Sequence, residues 1–420
     1  MKASRNATEL VEKMQKSDRL KSEESAIWQG DLLGIDEIQT QAPLENAFTD
    51  AQHEPDYAFL RKKVAPELPG GFEMVRIVDL FCGCGGLSLG AMEACRVAGK
   101  RFLPVLALDK DPIAVKVYDR NFGPAMACAK DVIKVIDGAV GSQPTESECD
   151  LLKGIGEVNI LLAGPPCQGY SSLNNFSRQN DHRNVLYERV ARLVEIAHPE
   201  HVLIENVPTV TRSKEMVVQK TIELLQNLGY NVDSGNVDLS VIGVPQKRKR
   251  HVVVASISKS VGIAEVIDKH RVKHERSVMW AIGDIRDEAP TSILDIPTHH
   301  SEDNMRRIKY LHDAHVYDLP NALRPQCHRD RKHGYRSMYG RMKPDEPAQT
   351  ITSGFPSPGQ GRFIHPTKLR TITAHEAARL QFFPDFFDFC QATTRRSLSS
   401  MIGNAAPMKL SYVFCLHLLS

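Results

Sequence analysis

A cysteine that follows two prolines is the residue of this chain best suited to covalent chemistry. Cys167 lies in the segment LLAGPPCQGYSS, where an apolar run ends. The two prolines fix the backbone and remove two N–H donors, so the thiol is held in a rigid loop rather than packed as a core side chain. Such a thiol can act as a nucleophile, with a purely structural cysteine as the alternative.

A carboxylate occupies the same kind of position in a second apolar run. The segment HVLIENV ends with Glu205 and Asn206 just before its last valine. A carboxyl group at the end of a buried strand can share a proton with a ring nitrogen of a substrate. The alternative is that Glu205 caps a following helix.

Three polar residues alternate in PQKRKRHVVVA, at the start of another apolar run. They are Gln246, Arg248 and Arg250. At a period of two residues they are expected to project from one face of a strand. Two guanidinium groups suit a phosphate or a polarised carbonyl oxygen. Taken alone, a basic run of this kind is more often a solvated surface.

A glycine-rich segment, DLFCGCGGLSLG, lies where a predicted strand gives way to a helix. Gly83 and Gly85 let the backbone approach a ligand closely, and the helix that follows presents free N–H groups. The GxGxxG spacing of dinucleotide-binding proteins is not met. Asp109 closes the next apolar run, in VLALDKD. This carboxylate can accept both hydroxyls of an adenosine ribose, or alternatively cap the following helix.

These residues are positioned by a regular alternation of short apolar runs with amphipathic segments. The runs are RIVDLF, VLALD, VNILLAG, HVLIENV and HVVVASI. Runs of this length predict buried strands, and the segments between them suit crossover helices, so we expect a doubly wound parallel sheet of the α/β class. Ligands of such sheets bind at the carboxyl ends of the strands. Phe81, Asp109, Cys167 and Glu205 all fall at such ends.

The chain outside this alternation predicts further parts. Residues 1 to about 70 are polar and end in a linker rich in proline and glycine, which indicates an appendage. After about Ser256 the alternation weakens, which indicates a second, smaller and less regular domain. Thr373, with Glu376 three residues later, predicts the start of a helix through a capping box. The apolar segment from Ala405 to Leu419 predicts a terminal helix.

Composition limits the kind of protein. The 420 residues, 42% of them hydrophobic and 25% charged, are enough to bury a large core. The N-terminus lacks the apolar core of a signal peptide, and no run is long enough to span a bilayer, so we expect a cytoplasmic protein without a membrane partner. Nine cysteines at irregular spacing indicate free thiols in a reducing compartment, and we expect neither a disulfide framework nor a metal site.

The charge of the whole chain does not indicate a nucleic-acid partner, because the formal net charge is only +2. The segment from Arg324 to Lys343 is nevertheless strongly basic and contains two tyrosines, Tyr335 and Tyr339. Its candidate DNA ligands are Arg324, Arg329, Arg331, Lys332 and Arg336. A solvated loop is the alternative interpretation.

Taken together and in this order, the segments resemble the cytosine-5 DNA methyltransferase family, in its bacterial restriction-modification form. The resemblance covers about Val75 to Ser420, and its motifs are DLFCGCGG, GPPCQGYS, ENV, QKRKR, HEAARLQFFPD and IGNA. It implies a Rossmann-like, S-adenosylmethionine-dependent methyltransferase sheet with a smaller, irregular target-recognition domain. The implied parts are an appendage at 1–70, catalytic domain at 75–258, target-recognition domain at 259–365 and a return to the catalytic domain at 366–420.

The resemblance also implies catalytic roles. Cys167 attacks C6 of a flipped-out cytosine, and Glu205 hydrogen-bonds ring N3. Arg248 helps to orient the base, with Gln246 and Arg250 as further members of the catalytic site. Covalent activation is needed because an unactivated C5 is a weak nucleophile. Base flipping is needed because a stacked cytosine cannot admit the thiol.

On the cofactor side, the resemblance implies that Phe81 stacks on adenine, that Asp109 holds the ribose and that Asp131 accepts from the adenine amino group. Asn404 closes the pocket, and we expect the terminal helix to pack against the first strand. The implied contacts of S-adenosylmethionine are Phe81, Gly83, Gly85, Asp109, Asp131, Val132, Pro165 and Asn404. Double-stranded DNA is the implied substrate. A separate restriction endonuclease is a possible functional partner without a stable complex, and we expect a monomer.

Some positions depart from the pattern of the family. Asp109 stands where a glutamate is commoner, Lys110 where many relatives have an aromatic residue, and His375 where an arginine is frequent. These departures affect the expected packing of the cofactor and leave the nucleophile and the acid in place.

Three other functions compete with DNA methylation. An RNA cytosine-5 methyltransferase on the same fold is disfavoured by the GPPCQGYS form of the nucleophile loop and by the sizeable recognition segment. A catalytically silent DNA-binding relative is disfavoured by the joint presence of Cys167, Glu205 and Arg248. A nicotinamide oxidoreductase is disfavoured by the glycine spacing.

Overall fold

The computed structural model describes residues 54–67, 73–166, 184–212, 216–329 and 337–420. The chain divides into two compact units. The larger unit comprises Asp50–Pro297, Lys343–Pro356 and Thr373–Ser420, and the smaller unit includes Thr298–Met342 and Ser357–Ile372. Cys167 and most of the predicted appendage lie outside the described residues.

A seven-stranded sheet forms the centre of the larger unit, in the order β3-β2-β1-β4-β5-β8-β6. A two-stranded sheet joins β7 to β9. The strands are β1 (Met74–Leu80), β2 (Arg101–Asp109), β3 (Ala127–Ala129), β4 (Ile160–Ala163), β5 (His201–Asn206), β6 (Asn231–Asp238), β7 (Gln246–Lys247), β8 (Lys249–Ser256) and β9 (Ala348–Gln349). All five apolar runs of the sequence are strands of the large sheet, which confirms the predicted α/β class.

The sequence predicted a parallel sheet, but two of the strand pairs are antiparallel. The pairs among β1 to β5 are parallel, but β8 runs antiparallel to both β5 and β6. The chain returns from β6 to β8 through a short connection without a crossover helix, and a short connection can join only antiparallel neighbours. The edge strand β6, NVDSGNVD, has too few apolar residues to be recognised from the sequence.

Helices cover both faces of the sheet. They are α1 (Pro55–Leu60), α2 (Gly86–Val97), α3 (Pro112–Phe122), α4 (Glu146–Ile155), α5 (Asn184–Ala197), α6 (Val217–Asn227), α7 (Ile263–Lys269), α8 (Val278–Ile282), α9 (Glu302–Asp313), α10 (Ala374–Leu380), α11 (Arg395–Asn404) and α12 (Met408–Leu419). Leu106 and Leu108 join one apolar cluster, with residues of α4, α5 and α6, whereas Ala107 joins another with residues of α3. This alternation along β2 is typical of a doubly wound sheet.

The terminal helix α12 packs mainly against α2, the helix after the first strand, rather than against that strand itself. A β-carbon at Gly90 would lie 2.1 Å from the Met408 carbonyl oxygen and 2.2 Å from Ser411 Oγ. Ser411 Oγ also donates to the Leu87 carbonyl at 2.7 Å. The two helices therefore touch at backbone distance, which only a glycine permits. The predicted helix from Ala405 begins three residues later, after Pro407.

The short helix α1 belongs to the larger unit, although the sequence analysis placed it in the appendage. Its Phe59 and Leu60 are buried. Asp56 forms ion pairs with Arg276 and with Lys409, the latter at 2.6 Å. A carboxylate shared by two largely buried cations anchors this helix to the rest of the larger unit.

A buried ion cluster joins α5 to α4 and to the loop that precedes α4. The side chains of Arg192 and Glu148 are 0% exposed, and they form two hydrogen bonds, at 3.1 and 2.6 Å. Arg192 also pairs with Glu195 at 2.7 Å and donates to the Ser142 carbonyl at 2.9 Å. Burial tends to raise the pKa of Glu148, but the hydrogen bonds from Arg192 and from two backbone N–H groups outweigh burial and lower it.

The smaller unit has its own apolar centre. Ile308, Leu311 and Leu323 pack there with Met338 and Ile364. Arg341 is largely buried and lies over the ring of Tyr317, with its guanidinium carbon 4.7 Å from the ring centroid. Within the described residues this unit has one helix longer than a turn, α9, and its remaining structure is irregular.

Helix α10 begins with the predicted capping box, since Thr373 accepts from Glu376 N and the Glu376 side chain accepts from Thr373 N. Its second residue, His375, lies between two carboxylates. Nδ1 is 2.8 Å from Asp295 and Nε2 is 3.0 Å from Asp385. Burial tends to lower the pKa of His375, but hydrogen bonds to Asp385 and Asp295 outweigh burial and raise it. The two carboxylates therefore favour the protonated imidazole at this position, where an arginine is frequent in the family.

We expect His375 to make the stability of the protein depend on pH. Its pKa in the folded state lies above the unfolded value of about 6.5. The stabilisation is therefore complete below about pH 6.5 and is lost as the pH rises through the folded-state pKa. A His375→Gln variant should lose less stability than the wild type between about pH 6 and about pH 9. Thermal melts across this range measure the difference, and parallel curves for the two proteins would contradict it.

Candidate functional site

The carboxyl ends of β4 and β5 bring residues 164–166, which precede Cys167, beside Glu205. The two strands are parallel neighbours, with Ala163 opposite Ile204. A β-carbon at Gly164 would lie 3.7 Å from Glu205 Oε2. Asn206 Nδ2 donates to the Pro165 carbonyl at 3.2 Å, which anchors the start of the segment. Pro166 is the last residue described before Cys167, so the structure places Glu205 beside the segment that leads directly to this cysteine.

Glu205 forms an ion pair with Arg250, whose Nε lies 2.5 Å from Glu205 Oε1. Both side chains are largely buried, at 12% and 11% exposed. Glu205 lies opposite Val252 in the β5–β8 pairing, so Arg250 is its diagonal neighbour on the same face of the sheet. Glu205 is therefore held by a guanidinium and is not the helix cap that the sequence left as an alternative. A carboxyl group and a guanidinium side by side can bind a ring nitrogen and an adjacent carbonyl oxygen.

The side chains of Arg248 and Gln246 contact the backbone of distant segments. The Arg248 guanidinium is buried and donates to the carbonyls of Ile351, at 2.8 Å, and Ala405, at 3.0 Å. Gln246 is 0% exposed, donates to the Leu380 carbonyl at 2.7 Å and accepts from Ile351 N at 3.1 Å. Both side chains are thus engaged with the protein backbone, and Arg250 is the arginine that lies beside Glu205. Alternation at period two did not predict this, because the partners are more than a hundred residues away.

Asp109 supports the glycine loop from the end of β2. Its Oδ2 accepts from Gly83 N at 3.0 Å, and its Oδ1 accepts from Asp111 N at 2.9 Å. The N-cap of α3 is Asp111, which accepts from Ile113 N and Ala114 N, so Asp109 is not the helix cap. Burial raises the pKa of Asp109 despite the two backbone hydrogen bonds.

The loop itself is fixed by positive backbone angles. Gly85 has φ of 98°, and a β-carbon there would lie 2.2 Å from a ring carbon of Phe122, so no other residue fits. Phe81, which is half-buried, also has a positive φ, of 57°. A non-glycine residue in this region of conformational space is strained, and such residues cluster at ligand sites. Cys82 and Cys84 are buried, and burial raises the pKa of Cys84 to about 12, so neither is a nucleophile.

The sequence analysis did not assign a role to Asp79, which lies beneath the same loop. Its side chain is 1% exposed, and its Oδ2 accepts from Ser88 Oγ at 2.7 Å. The other oxygen, Oδ1, has no hydrogen-bond partner among the described residues. A buried carboxylate at the end of an apolar strand was the available signal, because burial of an acid requires a specific partner.

The remaining predicted cofactor residues have different surroundings. Val132 and Pro165 are buried, whereas Asp131 is exposed and accepts from Ile133 N at 3.1 Å. Asn404 is exposed at the end of α11 and donates to Ser400 Oγ at 3.4 Å. Asp131 and Asn404 therefore have side chains accessible to a ligand.

The predicted DNA ligands are only partly described. Arg324 Nε donates to the Leu319 carbonyl at 3.2 Å, and Arg329 Nε donates to the Arg324 carbonyl at 2.7 Å. Arg331, Lys332 and Arg336 lie outside the described residues. In the parts of the chain that the structure describes, no group of three histidine, cysteine or acidic residues is arranged to hold a metal ion. No helix in those parts is long and apolar enough to cross a membrane.

The known proteins with similar sequences are DNA methylases and type II methyltransferases. The family model of the C-5 cytosine-specific DNA methylases matches residues 75–416. The chain is similar to the type II methyltransferase M1.BsuMI of Bacillus subtilis, at 42% identity over 362 residues, which cover 86% of this chain and 84% of the relative. It is also similar to the type II methylase M.HgiDII of Herpetosiphon aurantiacus, at 31% identity over 80% of this chain and 93% of the relative.

A solved structure shares the fold. The Dnmt2 methyltransferase of S. pombe superposes with a TM-score of 0.53 and 21% sequence identity, over 81% of this chain and 98% of that chain. At this identity the likeness concerns the architecture of the sheet and its helices.

Proposed function

The chain belongs to the C-5 cytosine-specific DNA methylase family and is a DNA cytosine-5 methyltransferase, and from this premise we propose that its methyl donor is S-adenosylmethionine. We further propose that it methylates a cytosine within one short sequence of duplex DNA. The observation that carries the proposal is the Glu205–Arg250 pair beside Gly164, three residues before Cys167, at the same edge of the sheet as the glycine loop.

The proposed nucleophile is Cys167, which forms a bond to C6 of the flipped-out cytosine. This addition places electron density on the ring, so that C5 can take a methyl group that it could not take in the free base. Loss of the C5 proton and departure of the thiolate then restore the ring. The rigid prolines before Cys167 keep the thiol from rotating away during these steps.

Glu205 and Arg250 bind the polar edge of the cytosine in this proposal. The Glu205 carboxyl shares a proton with ring N3, where negative charge develops when the sulfur adds to C6. Arg250, at 2.5 Å from Glu205, donates to the neighbouring carbonyl oxygen of the base. Both groups are held by the sheet before the substrate arrives, so little free energy is lost in arranging them.

The residues around the glycine loop fit the donor. Asp109 holds the loop through Gly83 and has a carboxylate at the strand end suited to ribose hydroxyls. The unpartnered oxygen of Asp79 and the strained Phe81 mark the loop as a ligand site. Asp131, Val132, Pro165 and Asn404 would complete the binding surface. When bound, S-adenosylmethionine supplies an electrophilic methyl group on a positively charged sulfur.

We assign target recognition to the smaller unit, whose segments Thr298–Met342 and Ser357–Ile372 overlap the predicted region 259–365. The basic run that includes Arg324 and Arg329 belongs to this unit, and phosphate contacts require such cations in a chain whose net charge is only +2. The two similar proteins are a type II methyltransferase and a type II methylase, which supports a role in restriction-modification beside a separate endonuclease. We propose that the enzyme acts as a monomer in the cytoplasm, where bacterial DNA is found.

We predict that variants of the two arginines differ in kind. Arg250→Lys should slow single-turnover methyl transfer by about 10²-fold with little change in the melting temperature, because a cation stays beside Glu205 while the guanidinium donor to the reacting base is lost. Arg248→Met should instead lower stability by about 2 to 3 kcal/mol, because two buried carbonyls lose their donor. Quenched single-turnover assays measure the rate of methyl transfer, and thermal melts measure the stability of each variant. A slow Arg248→Met enzyme with an unchanged melting temperature would return the base-orienting role to Arg248.

Expression in a bacterium that lacks cytosine methylation tests the function. Plasmid DNA and total RNA from the same cells are sequenced after bisulfite conversion. The proposal expects unconverted cytosines at one short repeated DNA sequence and none in RNA. Fully converted DNA, with purified protein that binds S-adenosylmethionine, would overturn the DNA assignment, and unconverted cytosines in RNA would favour the RNA enzyme.

A further inference from the structure

Asp79 is a buried acid for which the proposed reaction has no use. It is the last residue but one of β1, and its side chain lies on the face of the sheet that packs against α2 and α3. Ser88 Oγ, on α2, donates to Asp79 Oδ2 at 2.7 Å and lies 2.7 Å from the hydroxyl of Tyr118, on α3. Because the single Ser88 proton is used by Asp79, Tyr118 donates to Ser88. The chain of hydrogen bonds ends on one carboxyl oxygen and leaves Oδ1 without a partner.

No cation compensates this carboxyl group within the described parts of the chain. Asp79 appears in none of their ion pairs, and its charged neighbour is another acid, Asp109. The other titratable groups that face Asp79 are Cys82 and Cys84 in the glycine loop, Tyr118 on α3 and Cys415 on α12. None of these can supply a positive charge. A buried carboxylate with no cation is unfavourable, so the group must either hold a proton or receive its counter-charge from outside the protein.

The electrostatics of the site agree with this requirement. Burial raises the pKa of Asp79 to about 7. The hydrogen bond from Ser88 is the next largest effect and lowers this pKa, and repulsion by Asp109 raises it. Small changes in nearby charge therefore decide whether Asp79 is neutral or ionised at physiological pH.

We infer that Asp79 senses the charge of the cofactor: it holds a proton in the free enzyme and releases it when a ligand with a cationic sulfonium occupies the glycine loop. The inference rests on the proposed use of S-adenosylmethionine. Asp79 is thus a specificity-determining residue, because an ionised carboxylate beneath the loop favours the positively charged donor over its product. S-adenosylhomocysteine lacks the sulfonium charge and has no such effect on Asp79.

Linkage gives the inference a quantitative form. If binding lowers the pKa of Asp79, the affinity for S-adenosylmethionine rises with pH by up to about tenfold for each unit over which the free enzyme is protonated and the complex is not. The affinity for S-adenosylhomocysteine should lack this term. The amino group is more acidic in S-adenosylmethionine than in S-adenosylhomocysteine, because the nearby sulfonium disfavours a second positive charge. Each dissociation constant is therefore corrected for the measured amino pKa of the free ligand before the ratio is taken.

Titration calorimetry at several values between about pH 6 and about pH 8 tests the inference. For the wild type, the ratio of the dissociation constant of S-adenosylhomocysteine to that of S-adenosylmethionine should rise by about five- to tenfold across this range. Binding of S-adenosylmethionine should release more protons than binding of its product, measured in buffers of different ionisation enthalpy. Asp79→Asn should give a ratio that does not change with pH.

Two further variants keep the test decisive. Ser88→Ala removes the hydrogen bond that lowers the pKa of Asp79, so the rise in the ratio should move to higher pH, even if Asp79→Asn does not fold. Asp119→Asn, which removes an exposed carboxylate beside Tyr118 on α3, should behave as the wild type. A ratio independent of pH in the wild type would overturn the inference while leaving the cofactor assignment intact. Failure of S-adenosylmethionine to bind at any pH would instead contradict the proposed function.

Discussion

Replacement of Cys167 by alanine is expected to abolish methyl transfer. Loss of a covalent nucleophile costs on the order of 10⁴- to 10⁶-fold in rate, because the unactivated C5 cannot attack the methyl group by itself. Incorporation of labelled methyl groups into cognate DNA measures the loss. The effect should leave DNA binding in place, since the recognition contacts come from other residues.

A mechanism-based substrate tests directly whether Cys167 forms the covalent bond to the cytosine. In the presence of S-adenosylmethionine, cognate DNA with 5-fluorocytosine at the target should remain attached to the wild-type protein on a denaturing gel, because after methyl transfer fluorine cannot leave C5 as the proton does. Cys167→Ala should form no such adduct. Cys390→Ala, which removes an exposed cysteine of the same chain, should form it normally. An adduct with Cys167→Ala would show that another group attacks C6.

Replacement of Arg192 by methionine is expected to destabilise the protein by about 3 to 5 kcal/mol. The change leaves Glu148 buried without its cation and removes donors from the carbonyls of Ser142 and Gln143. An uncompensated buried charge is among the costliest single changes in a protein. The midpoint of urea unfolding measures the loss.

Lys153→Met provides a matched control on α4, the helix that carries Glu148. Lys153 pairs with Asp150 at 3.0 Å on the exposed side of this helix, where solvent screens the interaction. Its variant should unfold at the same urea concentration as the wild type. Equal midpoints for Arg192→Met and Lys153→Met would mean that the buried cluster contributes no net stability.

Much of the larger unit could be predicted because its signals are local. The five apolar runs became strands since each is long enough to cross the sheet and too apolar to remain exposed. The capping box at Thr373 was confirmed because both of its hydrogen bonds join residues three positions apart. The strand β6 was missed because an edge strand needs little apolar surface, and the direction of β8 because it depends on the pairing with β6.

In the candidate site, too, features set by local sequence could be predicted and features set by distant contacts could not. The placement of Glu205 follows from its strand, whereas the ion pair with Arg250 depends on the register between β5 and β8. The resemblance to the family implied catalytic roles for Arg248 and Gln246, whereas their spacing predicted only that they share one face of a strand. Their burial depends on Ile351, Leu380 and Ala405, and no local pattern indicates contacts with such distant residues.

The close contact between α2 and α12 has a consequence for the order of events during protein synthesis. Leu87, at the start of the helix that follows the glycine loop, is hydrogen-bonded to Ser411, a residue that the ribosome adds 324 positions later. The backbone of α2 around Gly90 therefore remains uncovered until translation has passed Ser411. Nascent chains that end before Ser411 should accordingly expose this apolar surface to chaperones, and termination before that residue should yield polypeptides prone to aggregation rather than partly active enzyme.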